Sequence, residues 1–250
     1  MRRKLLIAVG CLVLIPVGAI GALFAIREPP DGPRVEAEPG VVGIEAGGAY
    51  AWIARTAHGA FLVDAGLDGS GAAILNELSS EGLTRDQVHT VLITHGHPDH
   101  YASARLFTKA QVMAGAADMA MIAGDSTHYS PFGRIMSKVV PMPKSPTVTR
   151  PLHGGDLLTL DDAMVRVIAT PGHSPGSLMF LYKDVLFTGD SLMRKKDGLS
   201  VAPRLFSEDA AQNLASLPQL APLTFETVAD GHAGITRDAK RKLERWVANR

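Results

Sequence analysis

Short apolar runs alternate with amphipathic stretches through most of the chain, the pattern of an α/β arrangement. Apolar runs predict strands at Val41–Glu45, Tyr50–Arg55, Ala60–Val63, Thr90–Ile93, Gln111–Ala114, Met164–Ala169, Ser177–Tyr182, Val185–Thr188 and Thr224–Val228. Amphipathic stretches predict helices at Gly71–Ser79, Asp99–Phe107, Ala116–Ile122, Glu208–Leu217 and Arg237–Ala248. In the last of these Leu243, Trp246 and Val247 share one face, the spacing of a helix packed on a core, and Thr236 is placed to cap its start.

Three stretches break the pattern. Residues 124–151 are rich in proline and show no sustained periodicity, as expected of a lid, a binding loop or a surface insertion. Arg27 to Gly40 holds Pro29, Pro30, Pro33 and Pro39 among scattered charges, which predicts an extended linker over 27–40 and a folded domain over 41–250. Before it, Arg2-Arg3-Lys4 precedes an unbroken apolar stretch from Leu5 to Ile26. A run of about 20 apolar residues crosses a bilayer as a helix, and flanking positive charge stays on the cytoplasmic side. Residues 1–26 therefore predict a transmembrane signal anchor with the folded body outside the cytoplasm; the alternative is a cleaved signal peptide and a secreted protein.

Composition narrows the chemistry. Lys plus Arg and Asp plus Glu are both 25, so net charge gives no reason to expect a nucleic-acid partner. Cys11 is the only cysteine, which excludes an internal disulfide and a thiolate metal site, so any metal must use His and carboxylate ligands. Of nine histidines, His58, His89, His128 and His153 stand alone, whereas the rest lie in short motifs beside Gly, Pro or Asp.

The densest motif is His95-Gly96-His97-Pro98-Asp99-His100, which leaves the apolar run Val91–Thr94. Alternate side chains of an extended segment point the same way, so His95, His97 and Asp99 can converge. Gly96 leaves that approach open, and Pro98 suits the first turn of a helix that carries His100 toward a neighbouring position. One segment can thus offer two imidazoles to one metal and a carboxylate and an imidazole to a second. His173, Asp190 and His232 each follow an apolar run, as site residues do at strand ends in open α/β folds. A faint internal echo links Thr94-His95-Gly96-His97 with Thr170-Pro171-Gly172-His173, and Phe61–Asp64 with Leu186–Asp190, which hints at two similar halves meeting at one site.

Taken together, Asp64, His95-x-His97-x-Asp99-His100, His173, Asp190 and His232 resemble the ordered motifs of the metallo-β-lactamase superfamily over nearly all of Val41–Arg250. The resemblance implies an αββα sandwich with its site at one edge. It implies one metal on His95, His97 and His173, a second on Asp99, His100 and His232, Asp190 bridging both, and Asp64 behind them as an orienting carboxylate. Two zinc ions are expected, with iron or manganese as substitutes. Asp190 and the phrase Ala169–Ser177 resemble the glyoxalase II, lactonase and thioesterase-like branch more than the antibiotic-destroying one. Glyoxalase II carries an extra helical domain for its glutathione thioester, and no such stretch follows His232 here, which argues for another acyl substrate.

The implied reaction is hydrolysis of a small-molecule ester, thioester or lactone by a water activated between two metals, with Asp99 holding the nucleophile and passing its proton on. The alternative from another reaction class is a mononuclear-iron persulfide dioxygenase; a β-lactamase and a non-catalytic metal-binding module are less favoured. Arg194, Lys195 and Lys196, with Arg204 farther on, could form a basic rim that draws anionic substrates, or an ordinary solvated surface run.

Overall fold

Alternation of buried and exposed positions resolves into two sheets packed face to face. The computed structural model describes residues 28–196 and 198–248. The first half runs β1 (Arg34–Glu38), β2 (Val41–Glu45), β3 (Tyr50–Arg55), β4 (Ala60–Val63), α1 (Ala72–Ser80), β5 (Val88–Ile93), α2 (Pro98–Tyr101), β6 (Gln111–Gly115), α3 (Met119–Ile122), α4 (Pro131–Val139) and β7 (Arg150–Leu152). The second half runs β8 (Leu157–Leu160), β9 (Ala163–Ala169), β10 (Leu178–Tyr182), β11 (Val185–Gly189), β12 (Met193–Lys195), β13 (Gly198–Ser200), α5 (Ala210–Ser216), β14 (Thr227–Asp230), β15 (Ile235–Thr236) and α6 (Ala239–Ala248).

Strands β1 to β7 form one sheet in sequence order, and the second sheet has the order β15-β14-β11-β10-β9-β8. In each, an antiparallel run gives way to a parallel pair, β4 with β5 in the first and β11 with β14 in the second. The echo seen in the sequence falls at the ends of these matching strands. Asp64 and Asp190 follow β4 and β11, and the His95 and His232 motifs follow β5 and β14.

Between the sheets lies a core built by both, including Tyr50, Trp52, Phe61 and Leu92 from one and Val167, Leu178, Phe180 and Phe187 from the other. Each large apolar side chain so buried is worth about 1.5–3 kcal/mol. The outer face of the first sheet is covered by α1 and α2 through Ile74, Leu78 and Tyr101. That of the second is covered by Leu217, Leu220 and, from α6, Leu243. Two sheets sandwiched between helical layers give the αββα order.

Several elements differ from the sequence expectation. The stretch read as a linker contains β1, which pairs antiparallel with β2 and tucks Ala37 into the core. Ahead of it, Asp31 is bonded to Arg194 and accepts from the Ile235 amide at 2.9 Å, so ordered structure begins before Val41. The helix expected over Asp99–Phe107 is cut to α2 and a 3₁₀ turn at Ala104–Leu106, because Ser103 Oγ donates to Ala65 O at 2.7 Å and draws the chain inward. The irregular stretch 124–151 contains α4, begun by Pro131 and by Ser130 Oγ, which accepts from the Gly133 amide. The strand expected at Thr224–Val228 is β14, Thr227–Asp230; Phe225 instead fills the outer core with Leu220 and Leu243. Thr236 ends β15 rather than capping α6, whose first helical bond runs from the Lys242 amide to Asp238 O. The predicted membrane segment lies outside the described residues, among which no helix is long and apolar enough to cross a membrane.

Candidate metal centre

Four loops deliver the predicted residues to one edge of the sandwich. β9 and β11 both run antiparallel to β10, and β14 is parallel to β11, so His173, Asp190 and His232 leave the second sheet at the same edge. The loop after β5 brings His95, His97, Asp99 and His100 to meet them. Gly96 is needed there: a Cβ would lie 2.8 Å from Met121 Sδ.

Two clusters result. His95 Nε2, His97 Nδ1 and His173 Nε2 form a triangle with edges of 3.1, 3.1 and 3.0 Å. Tetrahedral zinc with Zn–N of 2.0–2.1 Å would hold neighbouring nitrogens about 3.3 Å apart, close to this spacing. Beside it, His100 Nε2 and His232 Nε2 face Asp99 Oδ2 at 3.9 and 3.6 Å. Asp190 stands between the clusters. Its Oδ1 is 3.5 Å from His100 Nε2, and its Oδ2 is 3.2 Å from His232 Nε2 and 3.7 Å from His173 Nε2. Three overlapping groups, His95/His97/His173, His95/His100/Asp190 and Asp99/His100/His232, have ligand atoms close enough to hold a cation.

The hydrogen bonds behind the ring set the tautomers that such a cation requires. His232 Nδ1 bonds to Gly48 O at 2.6 Å, His100 Nδ1 to Asp64 Oδ2 at 2.8 Å and His173 Nδ1 to Ser207 Oγ at 3.3 Å. His95 Nδ1 bonds to Thr94 Oγ1, whose hydroxyl donates on to Asp64 Oδ2. Each of these four rings turns Nε2 inward. His97 is reversed, with Nδ1 inward and Nε2 facing Glu208 Oε1 at 3.8 Å. Inside the ring, the buried atoms His100 Nε2 and Asp190 Oδ1 have no hydrogen-bond partner among the described residues, a costly arrangement for polar atoms that nothing binds. Gly231 keeps this space clear, since a Cβ there would lie 2.6 Å from both Asp190 Oδ1 and His100 Cε1. Paired donor triangles, fixed tautomers and unpartnered buried atoms fit two divalent cations.

Electrostatics points the same way. Burial, reinforced by His100, His173 and His97, pushes His95 well below the usual imidazole range. Burial and the neighbouring His97 lower His173 to about 3. Both rings are therefore neutral and able to donate lone pairs. For His100, burial is outweighed by Asp64, Asp99 and Asp190, which raise it to about 9. Burial also opposes ionisation of Asp190, yet His232 and His100 hold its carboxyl well below the usual range.

Several contributors were not singled out in the sequence. Asp118 is buried and accepts from the Gly96 amide at 2.7 Å, Ser174 Oγ at 2.5 Å and the Gly176 amide at 2.6 Å, tying the His95–His97 loop to the His173 loop. No motif surrounds it. Asp230 Oδ1 accepts from the amides of His232 and Ala233 at 2.8 and 2.6 Å, and shapes the turn that presents His232. Its signal was the aspartate of Asp230-Gly231-His232. Glu208 and Ser207 precede α5 and back His97 and His173. The basic run is not a free rim: Arg194 donates to Pro29 O at 2.9 Å and Ala233 O at 2.8 Å and pairs with Asp31, while Lys195 and Lys196 remain exposed.

Comparisons with known proteins agree with this geometry. The chain is 33% identical over 188 residues to hydroxyacylglutathione hydrolase of Halorhodospira halophila (strain DSM 244 / SL1), covering 73% of this chain and 60% of that protein. It is 30% identical over 180 residues to the protein of the same name from Acidiphilium cryptum (strain JF-5), covering 72% and 61%. It thus spans about 60% of the length of these curated relatives. Among solved structures, a metallo-beta-lactamase family protein from Thermus thermophilus superposes with a TM-score of 0.68 at 24% identity, covering 86% of this chain and 80% of that one. A subclass B3 metallo-beta-lactamase of Bradyrhizobium japonicum gives a TM-score of 0.63 at 22% identity, with 82% and 78% covered. These two likenesses show the fold. The family model described as the metallo-beta-lactamase superfamily matches residues 44–232, from the end of β2 through the last histidine of the ring, and the chain belongs to that superfamily.

Proposed function

We propose that the protein is a metal-dependent hydrolase, with two zinc ions, that cleaves an ester, thioester or lactone bond in a small molecule. The observation that carries this reading is Asp190, whose carboxylate faces His100 and His232 of one ligand set and His173 of the other, and so joins the two. His95, His97 and His173 would hold one ion, Asp99, His100 and His232 the other, with Asp190 shared. Zinc bound there supplies Lewis-acid polarisation of a carbonyl and lowers the pKa of a water molecule.

The chain's own groups do the rest. Asp64, Thr94, Ser207 and Gly48 O hold the imidazoles with their lone pairs directed inward. Asp99 lines the adjoining cavity and keeps 27% of its side chain exposed, the most accessible carboxylate of the ring. Burial opposes its ionisation, but His100 and His232 hold it below the usual carboxylate range. It can therefore orient a water molecule as an acceptor, take a proton at Oδ and deliver it to the leaving group. The relatives named hydroxyacylglutathione hydrolase favour a thioester among the three bond types.

The test is a panel of esters, thioesters, lactones, β-lactams and persulfides given to natively purified protein whose metal content has been measured. Hydrolysis that a chelator abolishes and zinc restores supports the reading. Oxygen consumption on persulfides without hydrolysis would replace it with the iron dioxygenase reading.

We further propose that the body lies outside the cytoplasm on an N-terminal anchor, from the Arg2-Arg3-Lys4 cluster ahead of Leu5–Ile26. A carboxy-terminal reporter active only outside the cytoplasm should be active; its silence beside an active cytoplasmic reporter would overturn this.

A further inference from the structure

A cavity of about 300 Å³ opens beside the two ligand clusters and is lined by His97, Asp99 and Asp190. Its other walls are mostly apolar, with Tyr129, Ser130 and Ser137 among them. Phe132 and Met136 reach it from α4, Val140 and Met142 from the segment that follows, Leu67 from the loop after β4, and Phe206 from the turn before α5. Phe132 and Phe206 pack edge to face at 5.5 Å, which fixes part of this wall. Among the described residues no Lys or Arg lines the cavity, and its carboxylates are Asp99 and Asp190 alone.

A substrate must therefore bring apolar surface to this space and no anionic group. A peptide-like thiol bearing free carboxylates would meet no cationic side chain on these walls, and Arg194, a candidate read from the sequence, is held by Asp31 and Pro29 O. Two methionines among the lining residues suit a flexible guest, because thioether side chains adjust to irregular shapes. The volume stands at the low end of small-molecule pockets, enough for a short or medium chain.

We propose that this cavity receives the neutral acyl chain of the substrate, so that the enzyme prefers medium-chain acyl esters, thioesters or lactones over acidic ones. This rests on the hydrolase reading above. The wall that makes the selection is α4 with residues 140–143, not the metal ligands.

The test uses metal-loaded full-length protein and p-nitrophenyl esters from acetyl to dodecanoyl, with p-nitrophenyl succinate as the acidic counterpart of the butanoyl ester. kcat/KM should climb roughly fourfold per added methylene and then level off, the gain expected from burying each CH₂. The succinate should be at least about tenfold slower than the butanoyl ester, since it places a charge against apolar walls. Met136→Trp, which narrows the cavity, should move the maximum to shorter chains, while Met136→Leu should leave the order of preference in place. A flat dependence on chain length, or a preference for the succinate, would overturn the proposal. Should no ester, thioester or lactone be cleaved, the hydrolase reading fails and the cavity is tested alone, by calorimetric titration with N-octylacetamide and acetamide. Tighter binding of the octyl compound supports the cavity's role; equal or no binding of both overturns it.

Discussion

Asp64 Oδ2 accepts a hydrogen bond from His100 Nδ1 at 2.8 Å, and this turns His100 Nε2 toward Asp190. The same carboxylate reaches His95 through the Thr94 hydroxyl, so one residue directs two of the inward-facing rings. Asp64 does so from a left-handed backbone conformation, φ 59°, that few residues other than glycine, asparagine and aspartate adopt. Asp64→Ala should weaken zinc affinity about 10- to 100-fold, the usual cost of losing a group behind a metal-bound histidine. Competition with a fluorescent chelator measures this. Unchanged affinity would remove Asp64 from the centre.

Replacing Asp190 tests the shared ligand. Asp190→Asn keeps the shape and removes the charge between the clusters. Zinc per chain, by elemental analysis, should fall from two toward one, and turnover should drop by at least about 100-fold, the scale of losing a positioned electrostatic group. His232→Ala should deplete the second ion and His173→Ala the first. His58, exposed and bonded to Asp161 on the far strand turn, is the control whose alanine variant should keep its zinc.

Metal loading should depend on pH. His100 is raised to about 9 in the metal-free centre, so near pH 7 it carries a proton that a cation must displace. Association therefore releases a proton, and apparent affinity rises with pH up to about 9, by at most about tenfold per unit for one displaced proton. Calorimetry at pH 7 in buffers of different ionisation enthalpy counts the protons. Zero release would mean that His100 is already neutral.

Asp118 should be a stability residue with a local readout. Asp118→Ala leaves the Gly96 amide, the Gly176 amide and Ser174 Oγ without their acceptor in a buried place. Each orphaned donor costs about 1–3 kcal/mol. Urea unfolding should show a loss of at least about 2 kcal/mol, with reduced zinc occupancy at the His95/His97/His173 cluster. Asp118→Asn, which keeps acceptor capacity on one oxygen, should lose less.

The residues of the centre were readable because each follows a strand whose apolar run is unmistakable, such as Val91-Leu92-Ile93 before His95 and Val185-Leu186-Phe187 before Asp190. What supports them was not. Asp118 acts through backbone amides far away in sequence, a relation that leaves no local pattern. β1 does alternate, with Val35 and Ala37 inward between Arg34, Glu36 and Glu38, but surrounding prolines and an edge-strand charge load masked it. α4 was hidden because its apolar residues line a cavity or face outward, with Ile135 63% and Val139 69% exposed, rather than seat the helix on a core. The break after α2 came from a tertiary bond, Ser103 Oγ to Ala65 O, which local propensity cannot report.

The inward-facing ligands are divided between the two sheets: His95, His97, Asp99 and His100 follow β5, whereas His173, Asp190 and His232 follow β9, β11 and β14. Neither half owns a complete coordination set. Ions held there would act as removable rivets across the seam, closing chain loops that reach from His95 to His232 and so restricting the unfolded chain. Chelation should then part the halves at this edge first, with hydrogen exchange quickening in the loops after β5 and β14 while the strands themselves stay protected.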